Sequence, residues 1–182
     1  MKTKLPLSLA VLMLTQCSKC KNDPAPADPA RQLPPATQTG AGTFGCLVNG
    51  QPYTPKGNNG MSNLYVSYDP TFRGGALGIE TYRVEGGGLT KFLSIDAAPV
   101  NAPGNYSLNL GPGIGEVLYS SGGGQPCGFM YDSRDVTYRR ATLNITRFDM
   151  NSRIIAGTFD AIIARTGCDT LKVTQGRFDA KF

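Results

Sequence analysis

Residues 141–182 read ATLNITRFDMNSRIIAGTFDAIIARTGCDTLKVTQGRFDAKF, and their alternation constrains the fold more than any other feature. Leu143 and Ile145 alternate with Thr142, Asn144 and Thr146. Ile155, Phe159, Ala161 and Ile163 share one parity, and Leu171 and Val173 alternate with Lys172 and Thr174. Successive side chains of a strand point to opposite faces, so this pattern predicts strands with one face packed and one wet. The polar tetrapeptide Asp149-Met150-Asn151-Ser152 and the break at Thr166-Gly167 separate three such runs. The chain therefore closes with an antiparallel meander.

The same grammar continues upstream. Runs at 43–48, 64–68, 76–84, 89–97, 106–110 and 117–120 are strand-like, with a further short one at 127–131. Asn49-Gly50 is a tight-turn signal, and Gln51-Pro52-Tyr53-Thr54-Pro55 belongs at a sheet edge, because prolines cannot donate to a ladder. No stretch repeats apolar residues at helical spacing over three turns. The 23 glycines and 13 prolines suit many short strands joined by turns. These features predict an all-β fold, an antiparallel sandwich or barrel of about nine or ten strands.

The N-terminus is organised differently. Lys2 and Lys4 precede an apolar run from Leu5 to Leu14, too short to span a bilayer, and Thr15-Gln16-Cys17 follows. This layout predicts a signal peptide over 1–16 of the lipoprotein type, with Cys17 as the lipidated first residue of the mature chain. Gln16 departs from the small residue that such cleavage sites favour. Residues 17–42 are rich in Pro and Ala, lack the apolar content that offsets ordering entropy, and read as a disordered tether. The globular domain is then 43–182. Export and a lipid anchor imply a bacterial envelope location, with the outer membrane as the expected one, and a membrane contact through lipid alone.

Composition removes whole classes of chemistry. The sequence has no histidine. Ser-His and Cys-His nucleophile pairs and histidine-based metal sites are thereby excluded. The formal net charge of +5 is unclustered, which argues against a nucleic-acid partner. Two glycine triplets, 86–88 and 122–124, lack the following helix and the Gly-Lys-Ser/Thr ending of a phosphate loop, and are read as hairpin turns. No cofactor, metal or catalytic residue is indicated.

Among Cys46, Cys127 and Cys168, an oxidising compartment favours one disulfide. Cys127 with Cys168 is the expected pair, since both sit at loop-to-strand junctions while Cys46 lies inside an apolar strand. Asp132, Asp135 and Asp149 with their neighbours read as turn formers in preference to calcium ligands. Glu80, Glu85 and Glu116 do not single out a glycosidase-like carboxylate pair. Arg134, Arg139, Arg140, Arg147 and Arg153 offer either one basic face or charged outward positions that block edge pairing, the latter being the preferred reading. The tyrosines Tyr65, Tyr68, Tyr82, Tyr106, Tyr119, Tyr131 and Tyr138 are either a binding face or strand formers.

Taken together, the leader ending in Cys17, the Pro/Ala stretch, the opening TFGCLVNG with Tyr53-Thr54-Pro55, and the closing RFDMNSRIIAGTF and VTQGRFDAKF resemble the uncharacterised lipoproteins of Bacteroidota, a group of domains of unknown function. The resemblance implies a secreted β-rich domain on the cell envelope and implies no activity. Phrases such as IIAGTF and GRFD read as strands with a bulge glycine. The expected role is non-catalytic binding or structural support with a glycan or protein partner at the cell surface. A carbohydrate-binding module and a carboxylate-dependent hydrolase acting on glycans are the alternatives.

Overall fold

The structure is a computed structural model that describes residues 28–109, 114–122 and 136–182. Ten strands lie among these residues: β1 (Thr43–Val48), β2 (Gln51–Tyr53), β3 (Leu64–Asp69), β4 (Ala76–Val84), β5 (Thr90–Ala97), β6 (Gly104–Ser107), β7 (Gly115–Ser120), β8 (Val136–Asp149), β9 (Ile154–Arg165) and β10 (Leu171–Lys181). They form a six-stranded sheet in the order β2-β1-β10-β9-β8-β6 and a four-stranded sheet in the order β3-β4-β5-β7. All pairings between these strands are antiparallel. The arrangement is a sandwich, and among the described residues no sheet closes into a barrel. The expected meander is β8-β9-β10, and β2 with its Pro52 sits at an edge as anticipated. The reading of 127–131 as a strand lies outside the described residues.

The core is filled by one parity from each strand. Leu77, Ile79, Leu93, Ile95 and Val117 of the small sheet meet Leu143, Ile145, Ile155, Phe159, Ala161, Val173 and Phe178 of the large one. Each fully buried aliphatic or aromatic side chain contributes about 1.5–3 kcal/mol relative to exposure.

The alternation breaks most plainly in two strands of the large sheet. β1 is buried at four successive positions, Phe44 to Leu47, and β9 opens with Ile154, Ile155, Ala156 and Gly157 all buried. Continuous burial means that both faces are covered. The cover is residues 33–42, which cross the outer face of the large sheet. This corrects the disordered tether for residues 28–42. A 3-10 turn at Pro29–Gln32 is capped by Asp28, whose Oδ1 accepts from Ala30 N at 3.0 Å, and Leu33 is buried. The composition of the stretch is poor in apolar residues, but the sheet supplies the apolar surface and hydrogen-bond partners that the segment lacks.

The bulge reading is corrected too. Register shifts fall between Val173 and Gly176 and between Ile145 and Arg147, and the left-handed residue near the first is Gln175, with φ of 53°. The bulge moves the buried parity of β10 from Leu171 and Val173 to Gly176, Phe178 and Ala180. Gly157 and Gly176 serve close approach instead. They pair across strands with Phe178 and Phe159, and a Cβ at Gly176 would stand 2.6 Å from the Phe159 ring.

Candidate functional site

At one end of the sandwich the two sheets part around a half-open cleft of roughly 650 Å³, within the range of small-ligand sites. Three turns frame it. The Asn49-Gly50 turn has left-handed φ values of 48° and 79°, as a two-residue hairpin requires, and Asn49 ties it to β10 by accepting from Lys172 N at 2.7 Å. The β4–β5 hairpin turns through Gly86–Gly88, with Gly87 and Gly88 at positive φ. The β9–β10 turn carries Gly167, Cys168 and Asp169 on the opposite rim.

The hairpin register places Arg83 directly opposite Lys91. Like charges facing each other across strands repel. Glu85 answers both: Arg83 Nε donates to its Oε1 at 2.8 Å and Lys91 Nζ to the same oxygen at 3.2 Å. Arg83 is further fixed by donating Nη1 to the Thr54 carbonyl at 3.1 Å and to Thr54 Oγ1 at 3.2 Å. These hydrogen bonds, Arg83 first and then Lys91, hold the Glu85 carboxyl below its ordinary pKa. It is a fixed anion at neutral pH and no general acid.

The floor is aromatic and dry. Tyr53 is buried, stands edge-on to Tyr119 at 6.4 Å between centroids, and shares its hydroxyl with Thr81 Oγ1 at 3.0 Å. Thr81 Oγ1 donates onward to the Leu93 carbonyl at 2.9 Å. Since that hydroxyl proton is committed to Leu93, Tyr53 is the donor in the Tyr53–Thr81 bond. Burial pushes the Tyr53 hydroxyl above its usual range. It stays a neutral hydrogen-bonding phenol.

The sequence-derived candidates scatter. Cys168 is disulfide-bonded in the cleft wall, and Cys127 and Cys17 lie outside the described residues. Cys46 is free and buried, and burial pushes its thiol up to about 12, which leaves no thiolate for nucleophilic attack. Asp132, Arg134, Asp135 and Tyr131 lie outside the described residues. Asp149 forms a turn, its Oδ1 accepting from Asn151 N and Ser152 N at 3.0 Å each. Hydrogen bonds from Ser152 and then Arg147 hold it well below the usual carboxylate range.

Among the described residues, the arginines do not gather into one face. Arg147 is spent on Asp149 and the Gln38 carbonyl, and Arg153 lies over the Phe182 ring at 5.9 Å. Of the tyrosines, Tyr65 and Tyr138 are exposed on different sheets while Tyr53 and Tyr82 are buried, so they make no flat platform. Of the glutamates, only Glu85 reaches the cleft. Among the described residues, no cluster of three or more His, Cys, Asp or Glu is placed to hold a metal.

The Arg83–Glu85–Lys91 group was not singled out from the sequence. Its signal was present in the hairpin RVEGGGLTK, where a three-glycine turn sets positions 83 and 91 against each other. No family model matches the sequence, and neither a curated protein nor a solved structure matches it.

Proposed function

We propose that this chain is an exported lipoprotein of the bacterial envelope, anchored through Cys17, whose sandwich binds a small polar ligand in the end cleft and catalyses nothing. The observation that carries the reading is the chemistry of the cleft. Of its lining groups, the Glu85 carboxylate is locked between two cations, the buried Tyr53 is neutral, and the neighbouring Cys46 thiol is far from ionising. Recognition groups are plentiful there, and neither Glu85 nor Tyr53 is poised to exchange a proton near neutral pH.

The ligand class follows from what is left over. Lys91 and Arg83 share one carboxylate and keep further N–H donors, while Gln51, Asn49, Ser121 and Asp169 line the rim and Tyr119 and Pro52 offer apolar contact. A glycan fragment bearing a carboxylate satisfies this set: its anion takes the spare donors, its hydroxyls meet the rim, and its ring face lies on Tyr119 and Pro52. Ordering of residues 28–42 leaves residues 18–27 between the lipid and the domain. Ten residues reach at most about 35 Å, which would hold the start of the domain within that distance of the membrane.

Two measurements test this. Mass spectrometry of the mature N-terminus should find a diacylated Cys17, and an unmodified terminus at any other residue ends the anchoring part. Titration with a uronic-acid disaccharide should show saturable binding that Lys91→Gln weakens about tenfold, the worth of one charge-assisted hydrogen bond. Equal affinity for the neutral disaccharide would sink the cleft assignment.

A further inference from the structure

The outward positions of the four-stranded sheet are Tyr65, Ser67 and Asp69 on β3, Ala76, Gly78, Glu80, Tyr82 and Val84 on β4, Thr90, Phe92, Ser94 and Asp96 on β5, and Glu116, Leu118 and Ser120 on β7. Not one is lysine or arginine, in a chain whose formal net charge is +5. Glu80, Asp96 and Glu116 occupy neighbouring rungs, with Asp96 paired to Glu116 across β5–β7. Asp69 is committed elsewhere, since its Oδ1 caps the following turn through Thr71 N at 2.8 Å. Burial, then Glu116 and Glu80, push the Asp96 carboxyl up to about 6.

Beside these carboxylates lies an apolar groove of roughly 440 Å³, bounded by Met61, Tyr65, Glu80, Tyr82 and Phe92. Met61 is 73 % exposed and Tyr65 57 %. The groove is preformed. Its wall, the loop over residues 57–63, is pinned by Tyr82, whose hydroxyl donates to the Met61 carbonyl at 2.6 Å and accepts from Asn59 N at 3.1 Å. Asn63 Nδ2 closes the loop on the Gly57 carbonyl at 3.0 Å. Methionine and aromatic side chains held in water around a fixed groove mark a surface that gains by being covered.

We propose that this face is a docking surface for a cationic peptide segment of a partner protein, one that carries Lys or Arg together with an aliphatic or aromatic anchor. The anchor fills the groove between Met61, Tyr65 and Phe92, and the cations answer Glu80, Asp96 and Glu116. Charge complementarity selects this occupant, because anionic lipid or a polyanion would meet three carboxylates on a face whose outward strand positions carry no lysine or arginine. The site is separate from the end cleft and does not depend on it.

The test uses the full chain and a fluorescent peptide of alternating Lys and Leu at low ionic strength, where exposed charges are least screened. Saturable binding is expected, with affinity falling about tenfold in the double variant Glu80→Gln, Glu116→Gln, as expected when charge pairs are removed across an interface. Tyr65→Ser should weaken it as well, and Lys91→Gln should leave it unchanged. A matching Glu-Leu peptide should not bind. The proposal is overturned by absence of saturable binding below about 1 mM, by equal binding of the Glu-Leu peptide, or by indifference to the double variant. Sedimentation of the chain alone supplies the remaining outcome: self-association that the double variant abolishes would make the occupant a second copy and overturn the partner.

Discussion

Asp179 on the outer face of the six-stranded sheet and Asp96 on the outer face of the four-stranded sheet both point away from the core, yet their surroundings drive them apart. Asp179 is fully buried beneath residues 37–41. Its Oδ2 accepts from Thr37 Oγ1 at 2.7 Å, Thr39 N at 2.8 Å and Ala41 N at 3.2 Å, and its Oδ1 from Gly40 N at 2.6 Å. Burial alone pushes its carboxyl up, but the hydrogen bonds from Thr37, Thr39, Gly40 and Ala41 outweigh it, and the pKa lies below the ordinary value. Asp96 is partly buried without such donors and faces Glu116 and Glu80, so its pKa rises. A carboxylate surrounded by backbone N–H groups is stabilised as an anion, whereas one surrounded by other carboxylates is destabilised. One face is covered by the chain's own N-terminal segment, and the other carries the acidic rungs and the exposed Tyr65.

The comparison can be broken most forcefully at Asp179. Asp179→Ala should cost about 3 kcal/mol, because it leaves several donors of the covering segment without an acceptor. Chemical denaturation reads the loss, and limited proteolysis should then cut within residues 33–42. A variant that remains as stable and as protease-resistant as the parent would mean that the carboxylate does not hold the segment down.

Leu33→Ala removes the apolar anchor of the same segment and should cost about 2 kcal/mol, at the low end for a buried leucine. Asp96→Asn should act the other way. Removing a charge that its site disfavours should stabilise the fold at pH 7 by about 1 kcal/mol, once solvent screening is allowed for.

A pH profile sharpens the contrast through its sign. The raised folded-state pKa of Asp96 makes stability climb as pH falls from about 6 toward the ordinary value of 3.8. The lowered pKa of Asp179 supports the fold above that ordinary value, and its contribution is lost as pH falls further. Thermal melts across this range should show both limbs. The upper one should vanish in Asp96→Asn and the lower one should shrink in Asp179→Ala. Smallest of all, Tyr65→Ser at an exposed position of the four-stranded sheet should stay within about 0.5 kcal/mol by denaturation, as surface substitutions do.

Much of the fold was legible because alternation is local. The expected run at 76–84 coincides with β4, and the meander, the Asn49-Gly50 turn and the edge position of Pro52 are all as anticipated. β8 begins at Val136, earlier than the 141 expected, because Tyr138 and Arg140 carry no apolar alternation that would mark them as strand. The end cleft was half legible. Its Arg83–Lys91 pairing follows from a three-glycine hairpin, whereas Glu85 locking the pair, and Tyr53 and Cys168 meeting them from the other sheet, do not.

What the sequence determined by itself is the class of fold and the places where strands turn, since side-chain parity and turn chemistry act over a few residues. Tertiary structure alone decided that β1 lies beside β10 and that residues 37–41 close over Asp179 on the outer face of the six-stranded sheet. Those outcomes depend on partners separated by well over a hundred residues, and no local pattern encodes which distant surface a segment will find.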